Sequence, residues 1–274
     1  NVWVSTPSFV EICLLEKTFN EKYLPQLKTF LFCGEEFSVT TAKKLQAAFP
    51  TARIFNTYGP TETTVAITQV ALNPTFLKGN RLPIGFLKED TEVIIVNEFL
   101  EQVKEGESGE ILISGPSVAE GYFENPAKTK EAFIQLNGKT YYRTKDQGHF
   151  SNGLLWYEGR LDLQVKLHGF RLELEDVDQN LGQVSLVKSA CTVAKYKKSS
   201  NGISQVQQLV AFVVPEKNNA SSEFSLTQEI KKELGEKVME YMVPKQFIYL
   251  EALPLTPNGK VDRKSLSATV NGGS

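Results

Sequence analysis

The sequence predicts an α/β region followed by a β-rich region and then a small α+β domain. Three observations lead to this prediction. Strand-like and helix-like segments alternate over residues 1–56. From about residue 91, short apolar runs are separated by Gly and Asn turns, and over residues 160–274 strands and helices mix again. Such alternation is typical of layered α/β architecture, whereas short runs between turns are typical of antiparallel sheets.

The first region contains three strands with a helix before the second and the third. The strand-like runs are NVWV, FLFC and RIFN, at 1–4, 30–33 and 53–56. Each helix follows residues that can cap it, namely Ser5 or Thr6 ahead of Pro7, and Ser38 or Thr40. This order predicts a parallel sheet with right-handed crossovers. Ligands of such sheets bind beyond the carboxyl ends of the strands.

The later elements follow from the same kind of pattern. An antiparallel sheet or distorted barrel is predicted from TEVIIVN, GEILISG, TYYRT and LLWYEG, at 91–97, 109–115, 140–144 and 154–159. The α+β domain is predicted from strands at QVKL, KSACTVAKY and QQLVAFVVP with helices near 173–183 and 226–240.

Composition excludes several functional classes. The formal net charge is −2, with 41% apolar and 23% charged residues, so there is no electrostatic case for nucleic acid or an anionic membrane. No apolar run approaches the roughly 20 residues that span a bilayer. The three cysteines are far apart and no His lies near them, which predicts free thiols in a reducing cytosol and no zinc site.

Because the chain opens inside a strand without a signal peptide, we expect it to be the later part of a longer protein.

The stretch NTYGPTETT, at 56–64, follows the third strand and combines groups that suit a nucleotide. Gly59 permits a tight turn and close approach of backbone N–H groups, and the Tyr58 ring offers a face for a base. Threonine hydroxyls can bond phosphate oxygens, and Glu62 can hold Mg²⁺ together with those oxygens. The alternative is a plain strand-to-helix connection in which Thr61 caps the helix.

Four ordered motifs favour the nucleotide site, because together they resemble the adenylate-forming ligases. This superfamily includes acyl-CoA synthetases, luciferases and the adenylation domains of peptide synthetases. The motifs are NTYGPTE, YYRTKDQG (141–148), GRLDLQVKLHGFRLELEDVD (159–178) and LPLTPNGKVDRKSL (253–266). The resemblance implies that residues 1–159 are the C-terminal part of a large adenylation domain. It also implies that 160–274 form a small mobile lid domain, with a hinge near Asp162.

The runs NVWVSTPSFVEICLL and FLFCGEEFS resemble the branch of this family that activates D-alanine. That branch uses ATP and Mg²⁺ to make D-alanyl-AMP and passes the D-alanyl group to the phosphopantetheine thiol of a D-alanyl carrier protein. Its pathway decorates teichoic acids in the cell wall of Gram-positive bacteria. The resemblance therefore implies a cytoplasmic ligase.

The resemblance also implies a role for each matching residue. Lys260 would be catalytic, Asp162 the hinge, Gly169 part of the pantetheine tunnel and Glu62 the metal ligand. Cys33 and Val65 would form the wall that meets the D-methyl group. The ATP or AMP site would comprise Gly34, Glu35, Asn56, Thr57, Tyr58, Gly59, Thr61, Asp146, Arg160 and Lys260.

Each of these residues also has a structural explanation. Asp146 would be a surface turn residue, Arg160 half of a surface ion pair, and Lys260 a solvated cation in a basic tail. Cys33 would be a small core hydrophobe, and Gly169 a turn glycine.

Two departures from the family pattern affect the expectations. Lys145 stands where the family usually has Gly, and we expect Asp146 to remain in register. The family's phosphate-binding loop and its amino-group anchor do not occur in these 274 residues, so we expect the chain alone to be inactive. The alternatives are an adenylation domain of a peptide synthetase or an acyl-CoA ligase, or, outside enzymes, a non-catalytic carrier-binding fragment.

Overall fold

A computed structural model describes residues 1–198, 204–216, 222–257 and 259–272. The chain divides into two compact units, Asn1–Asp162 and Leu163–Ser274. Each unit has its own buried core.

The first sheet of the first unit is mixed. Its strands, in spatial as well as chain order, are β1 (Val2–Ser5), β2 (Thr29–Phe32), β3 (Arg53–Tyr58), β4 (Thr68–Ala71) and β5 (Phe86–Leu87). Strands β1, β2 and β3 are parallel as predicted, whereas β4 and β5 pair antiparallel. The connection from β3 to β4 contains only the 3₁₀ turn Thr61–Thr63. Because a parallel return needs a crossover of a dozen or more residues, this short connection reverses the chain.

Two helices cover this sheet, α1 (Pro7–Cys13) and α2 (Val39–Ala48). The predicted cap of α2 is confirmed, because the Ser38 hydroxyl accepts a hydrogen bond from the Thr41 N–H at 3.0 Å. The N-cap of α1 is Thr6, but its side chain makes no capping bond. The core between helices and sheet is rich in aromatic side chains, including Phe30, Phe32, Phe37 and Phe49.

The second sheet of this unit is antiparallel, as predicted. Its strands are β6 (Glu92–Val96), β7 (Gly109–Ser114), β8 (Phe133–Leu136), β9 (Lys139–Ser151) and β10 (Leu154–Arg160), with α3 (Pro126–Ala132) before β8. The spatial order is β10-β9-β7-β6, and β8 pairs with β9. A single bridge between Gly85 and Leu155 joins this sheet to the first one.

The second unit is the predicted α+β domain. Its elements are β11 (Gln164–Leu167), β12 (Phe170–Glu173), α4 (Leu174–Leu181), β13 (Val187–Lys198), β14 (Ser204–Pro215), α5 (Glu223–Gly235), β15 (Gln246–Tyr249) and α6 (Arg263–Asn271). Strands β13, β14 and β15 form one sheet, while β11 and β12 form a separate hairpin. The pattern did not predict the four-residue strands β12 and β15, nor α6, which begins within a tail rich in turn formers.

Within the described part of the chain, no helix has the length and apolar character that a bilayer span requires.

Candidate functional site

The centre of the candidate site is a buried hydrogen bond between two residues that lie 88 positions apart. Tyr58, the last residue of β3, donates from its hydroxyl to Oδ2 of Asp146 on β9, at 2.6 Å. Tyr58 is 8% exposed and Asp146 is 3% exposed. Burial raises the pKa of Tyr58 well above its ordinary value, and the Asp146 charge raises that pKa further. Tyr58 therefore remains a neutral donor to an ionised carboxylate.

Arg160, at the end of β10, connects Asp146 to Asp162. Its Nη1 donates to Oδ1 of Asp146 at 2.8 Å, while Nε and Nη2 form a bidentate pair with Asp162 at 2.7 and 2.6 Å. Burial opposes the charge of this guanidinium, but the bonds to Asp162 and the charge of Asp146 outweigh it and raise the pKa of Arg160. The structure thus joins the predicted ribose carboxylate, ribose arginine and hinge residue in one ionic network, which we call the Asp146 network.

A bulge in β9 directs Asp146 into this network. The ladder between β7 and β9 is irregular here, and Lys145 adopts φ 58°. The Thr144 hydroxyl fixes the bulge by donating to the Ile111 carbonyl at 2.7 Å and accepting from the Asp146 N–H at 2.9 Å. Lys145 therefore holds the left-handed conformation that glycine adopts without strain. The bulge brings Asp146 to Tyr58 and Arg160 with this lysine in place, and the expectation that Asp146 keeps the family register stays a prediction.

The turn after Tyr58 is as tight as predicted. A Cβ at Gly59 would overlap the carbonyl of Val65, because the chain folds back on itself there. Thr64 and Val65 have φ values of 60° and 70°. A positive φ is a genuine outlier for β-branched residues, and such strain concentrates at ligand sites. A 3₁₀ turn at Thr61–Thr63 and then β4 follow Tyr58, with no α-helix between them, so the strand-to-helix alternative is wrong.

The two predicted pocket residues lie side by side. Cys33 follows β2, and its Sγ is 3.9 Å from the Val65 carbonyl oxygen. Val65 exposes 56% of its surface, and Cys33 is partly exposed. Cys33 is therefore not a fully buried core residue, in contrast to Cys191.

Three other predicted nucleotide residues, Asn56, Thr57 and Glu35, have hydrogen-bond partners within the protein. Asn56 donates to the Pro83 carbonyl, and Thr57 donates to the Phe32 carbonyl, both at 2.8 Å and both buried. Glu35 accepts from the Ser8 N–H at 3.0 Å, and Gly34 adopts φ 90° beside it. Asn56 and Thr57 thus stabilise the end of β3, Glu35 stabilises the first turn of α1, and the roles of all four residues toward a nucleotide stay predictions.

Glu62, the predicted metal ligand, lies on the 3₁₀ turn and accepts a hydrogen bond from the Tyr122 hydroxyl at 2.7 Å. Burial and this bond raise the pKa of Tyr122, so it stays protonated. In the described segments no three His, Cys, Asp or Glu residues are grouped to hold a metal. One oriented carboxylate beside the exposed Thr61 hydroxyl fits a Mg²⁺ held mainly by phosphate oxygens.

Several residues around the Asp146 network were not predicted from the sequence. The Tyr157 ring lies 6.5 Å from that of Tyr58, and burial followed by the Asp146 charge raises its pKa. Arg81 donates to the Tyr157 carbonyl at 3.0 Å and pairs with Glu36 at 3.6 Å. Tyr157 lies three residues before Arg160 in LLWYEGR, so the strand pattern offered one signal. No local signal identifies Arg81 or Tyr122.

The second unit carries the two remaining predicted residues. Gly169, with φ 86°, and His168, with φ 51°, form the two-residue turn between β11 and β12. Two positive φ values are typical of a type I′ hairpin, so a turn role for Gly169 is confirmed. Lys260 is exposed in a short hairpin before α6, where its N–H donates to the Thr256 hydroxyl at 3.2 Å. Asn258 of the predicted Asn-Gly turn lies outside the described residues.

The arrangement in the first unit can recognise a ribose. A carboxylate oxygen accepts more than one hydrogen bond, and the two hydroxyls of a ribose are donors of the kind that a carboxylate such as Asp146 binds.

Two family models match this chain. The model described as AMP-binding enzyme matches residues 1–123, and the model described as AMP-binding enzyme C-terminal domain matches residues 176–260. The chain belongs to the AMP-binding enzymes. The two matched regions of the AMP-binding fold lie in the first and second structural unit, respectively.

Similarity to individual relatives and to a solved structure is consistent with this assignment. A Lacticaseibacillus casei protein described as D-alanine–D-alanyl carrier protein ligase is 52% identical over 273 residues, which are 99% of this chain and 53% of that protein. A Bacillus licheniformis protein with the same description is 44% identical over 271 residues, again 53% of its length. The Vibrio cholerae adenylation domain AlmE, solved with glycyl-adenosine-5′-phosphate, matches with a TM-score of 0.80 and 30% identity, covering 98% of this chain and 49% of that one. The chain thus spans about half the length of the curated relatives it matches.

Proposed function

We propose that this chain belongs to a ligase that activates D-alanine as D-alanyl-AMP and transfers it to the phosphopantetheine thiol of a D-alanyl carrier protein. The observation that carries the proposal is the buried Asp146 carboxylate, which Tyr58 and Arg160 hold in place and which is chemically suited to bind a ribose. The choice of D-alanine is supported by the printed descriptions of the relatives and by the contact between Cys33 and Val65.

In the first half-reaction, a carboxylate oxygen of D-alanine forms a bond to the α-phosphorus of ATP. The bond from that phosphorus to the bridging oxygen breaks, and pyrophosphate leaves. Negative charge grows on the α-phosphate in the transition state, where the Lys260 ammonium would stabilise it. A Mg²⁺ bound near Glu62 would neutralise part of the phosphate charge.

The remaining residues of the site would orient the reactants. Asp146 holds the ribose, and Tyr58 and Arg160 hold Asp146 in place. The prediction that the Tyr58 ring stacks on adenine remains part of this proposal. Cys33 and Val65 form the wall against which the D-methyl group lies.

In the second half-reaction, the carrier thiolate attacks the acyl carbon, a thioester forms and AMP leaves. We assign residues 1–159 to the large adenylation domain and 160–274 to the lid domain, with the hinge at Asp162 and Gly169 lining the pantetheine tunnel. The division of the chain after Asp162 supports this hinge. The reaction would take place in the cytoplasm and supply D-alanyl groups for teichoic acids of the cell wall. The free thiols of Cys13, Cys33 and Cys191 support a reducing compartment.

ATP–pyrophosphate exchange by the complete natural polypeptide tests this function. We expect exchange with D-alanine, weaker exchange with L-alanine and none with acetate. Exchange that is fastest with another amino acid would support a peptide-synthetase adenylation domain, and exchange with acetate alone would support an acyl-CoA ligase. No exchange with any carboxylate would contradict the proposal and support a non-catalytic carrier-binding protein.

A further inference from the structure

The hairpin that carries Lys260 has little apolar packing of its own. Leu255 exposes 61% of its surface and Val261 exposes 39%, and a single bridge pairs them. Backbone bonds close the hairpin, from Thr256 N–H to the Lys260 carbonyl at 2.7 Å and from Asp262 N–H to the Pro254 carbonyl at 2.8 Å. These bonds define the shape of the hairpin, but they do not attach it to the rest of the second unit.

The polar attachment comes from Arg263, the first residue of α6 and three positions after Lys260. Its Nη2 donates to Oδ2 of Asp178 on α4 at 2.6 Å, and its Nη1 donates to the Thr192 carbonyl on β13. Oδ1 of Asp178 accepts from the Thr192 N–H at 2.5 Å, so the three residues form a closed ring of hydrogen bonds. Arg263 and Asp178 expose only 20% and 17% of their side chains.

The other anchors of α6 lie farther from Lys260. Leu266, which is 4% exposed, packs against the sheet about one turn into the helix. Asn271, the last helical residue, donates to the Ala194 carbonyl at 2.9 Å and accepts from the Tyr196 N–H at 2.8 Å. On the N-terminal side of the hairpin, Leu253 packs against the same cluster as Leu266. Arg263 is therefore the anchor nearest to Lys260 on the C-terminal side of the hairpin.

We propose that Arg263, held by Asp178 and Thr192, is a positioning residue that fixes the hairpin of Lys260 for adenylate formation. This inference rests on the proposed function, in which Lys260 acts on the α-phosphate. Lysine would not replace Arg263, because only a guanidinium presents donors in a planar fork that reaches a carboxylate and a carbonyl together. Displacement of a catalytic group by about 1 Å can cost about 100-fold in rate.

The test uses Arg263→Lys and Asp178→Asn in the complete polypeptide, with two controls. Lys264→Ala removes a neighbouring positive charge that is exposed, and Asn271→Ala loosens α6 at its far end. For Arg263→Lys and Asp178→Asn we expect kcat for adenylate formation to fall at least about tenfold, with KM for ATP and D-alanine nearly unchanged. Thioester formation from preformed D-alanyl-AMP should remain near the wild-type rate, and both controls should retain kcat.

Hydrogen–deuterium exchange of the hairpin gives a readout that does not depend on activity. In Arg263→Lys, the amides of Thr256 and Asp262 should exchange at least about tenfold faster, because fixed attachment suppresses local opening. Asn271→Ala should leave them unchanged. If wild-type polypeptide shows no adenylate formation, the proposed function fails, and exchange alone decides whether Arg263 anchors the hairpin. Unchanged exchange in Arg263→Lys, or equal loss of both half-reactions, would overturn the inference.

Discussion

Replacing Tyr58 with Phe tests whether the hydroxyl of Tyr58 holds the Asp146 network together. The change removes one oxygen atom and keeps the ring in its apolar surroundings with Ile67, Ile84 and Leu155. Oδ2 of Asp146 loses a donor at 2.6 Å, inside a site where the Asp146 side chain is 5% exposed. A buried carboxylate that loses a donor bears a desolvation cost that water cannot fully offset.

The expected magnitude follows from the charge of the acceptor. Hydrogen bonds to charged groups contribute about 1.5–3 kcal/mol, compared with about 1 kcal/mol for neutral pairs. Arg160 still donates to Oδ1, so Asp146 stays ionised and partly compensated. We therefore expect Tyr58→Phe to lower the free energy of unfolding of the first unit by about 2 kcal/mol.

Tryptophan fluorescence during urea denaturation reports this unit selectively, because both tryptophans, Trp3 and Trp156, lie in it. Tyr23→Phe is the matched control, since Tyr23 is 58% exposed, and we expect it to change stability by less than about 0.5 kcal/mol. A double-mutant cycle with Asp146→Asn should give a coupling energy above about 1 kcal/mol. A loss below about 0.5 kcal/mol for Tyr58→Phe, or no coupling, would refute the reasoning.

Three further predictions concern neighbouring residues. Lys145→Gly should raise the free energy of unfolding of the first unit by about 0.5 kcal/mol, because relief of the left-handed backbone strain slightly exceeds the cost of the added entropy of the unfolded chain. A lower free energy of unfolding in urea denaturation would contradict the conclusion that Lys145 is strained in the bulge. Cys33→Ala should lower the ratio of kcat/KM for D-alanine over L-alanine by about tenfold, and an unchanged ratio would return Cys33 to a packing role. Alkaline pH should destabilise the first unit, because Tyr58 and Tyr157 have raised pKa values when folded. This contribution to the free energy of unfolding is fully present below about pH 10. Above that pH it falls by up to about 1.4 kcal/mol per pH unit for each tyrosine, because only the unfolded chain releases the protons. A smaller slope in Tyr58→Phe would show that Tyr58 is one of the two groups responsible.

The sequence predicted most strands because apolar runs bounded by turn formers are a local signal. The antiparallel pairing of β4 with β3 could also have been predicted, because too few residues separate Tyr58 from Thr68 for a crossover helix. By contrast, no local signal predicts positive φ at Thr64 and Val65, because propensity disfavours that conformation for both residues.

In the site, too, pairs of residues that lie close in the sequence could be predicted, whereas pairs that lie far apart could not. Arg160 and Asp162 lie two residues apart in GRLD, a spacing that allows side chains on one face to pair in extended chain. The bond between Tyr58 and Asp146 spans 88 positions, and only the family resemblance assigned both residues to one site. The resemblance did not predict that they bond to each other, because a list of ligand-binding residues does not state how those residues hold one another.

The most direct test of the central claim follows both half-reactions in the complete polypeptide with radiolabelled D-alanine. Wild-type enzyme should form D-alanyl-AMP from ATP and then transfer the label to a phosphopantetheinylated carrier protein. Lys260→Ala should reduce adenylate formation by orders of magnitude while transfer from preformed D-alanyl-AMP falls far less, because Lys260 stabilises charge only in the first step. Equal loss of both steps, or label on the carrier without D-alanyl-AMP as an intermediate, would contradict the account.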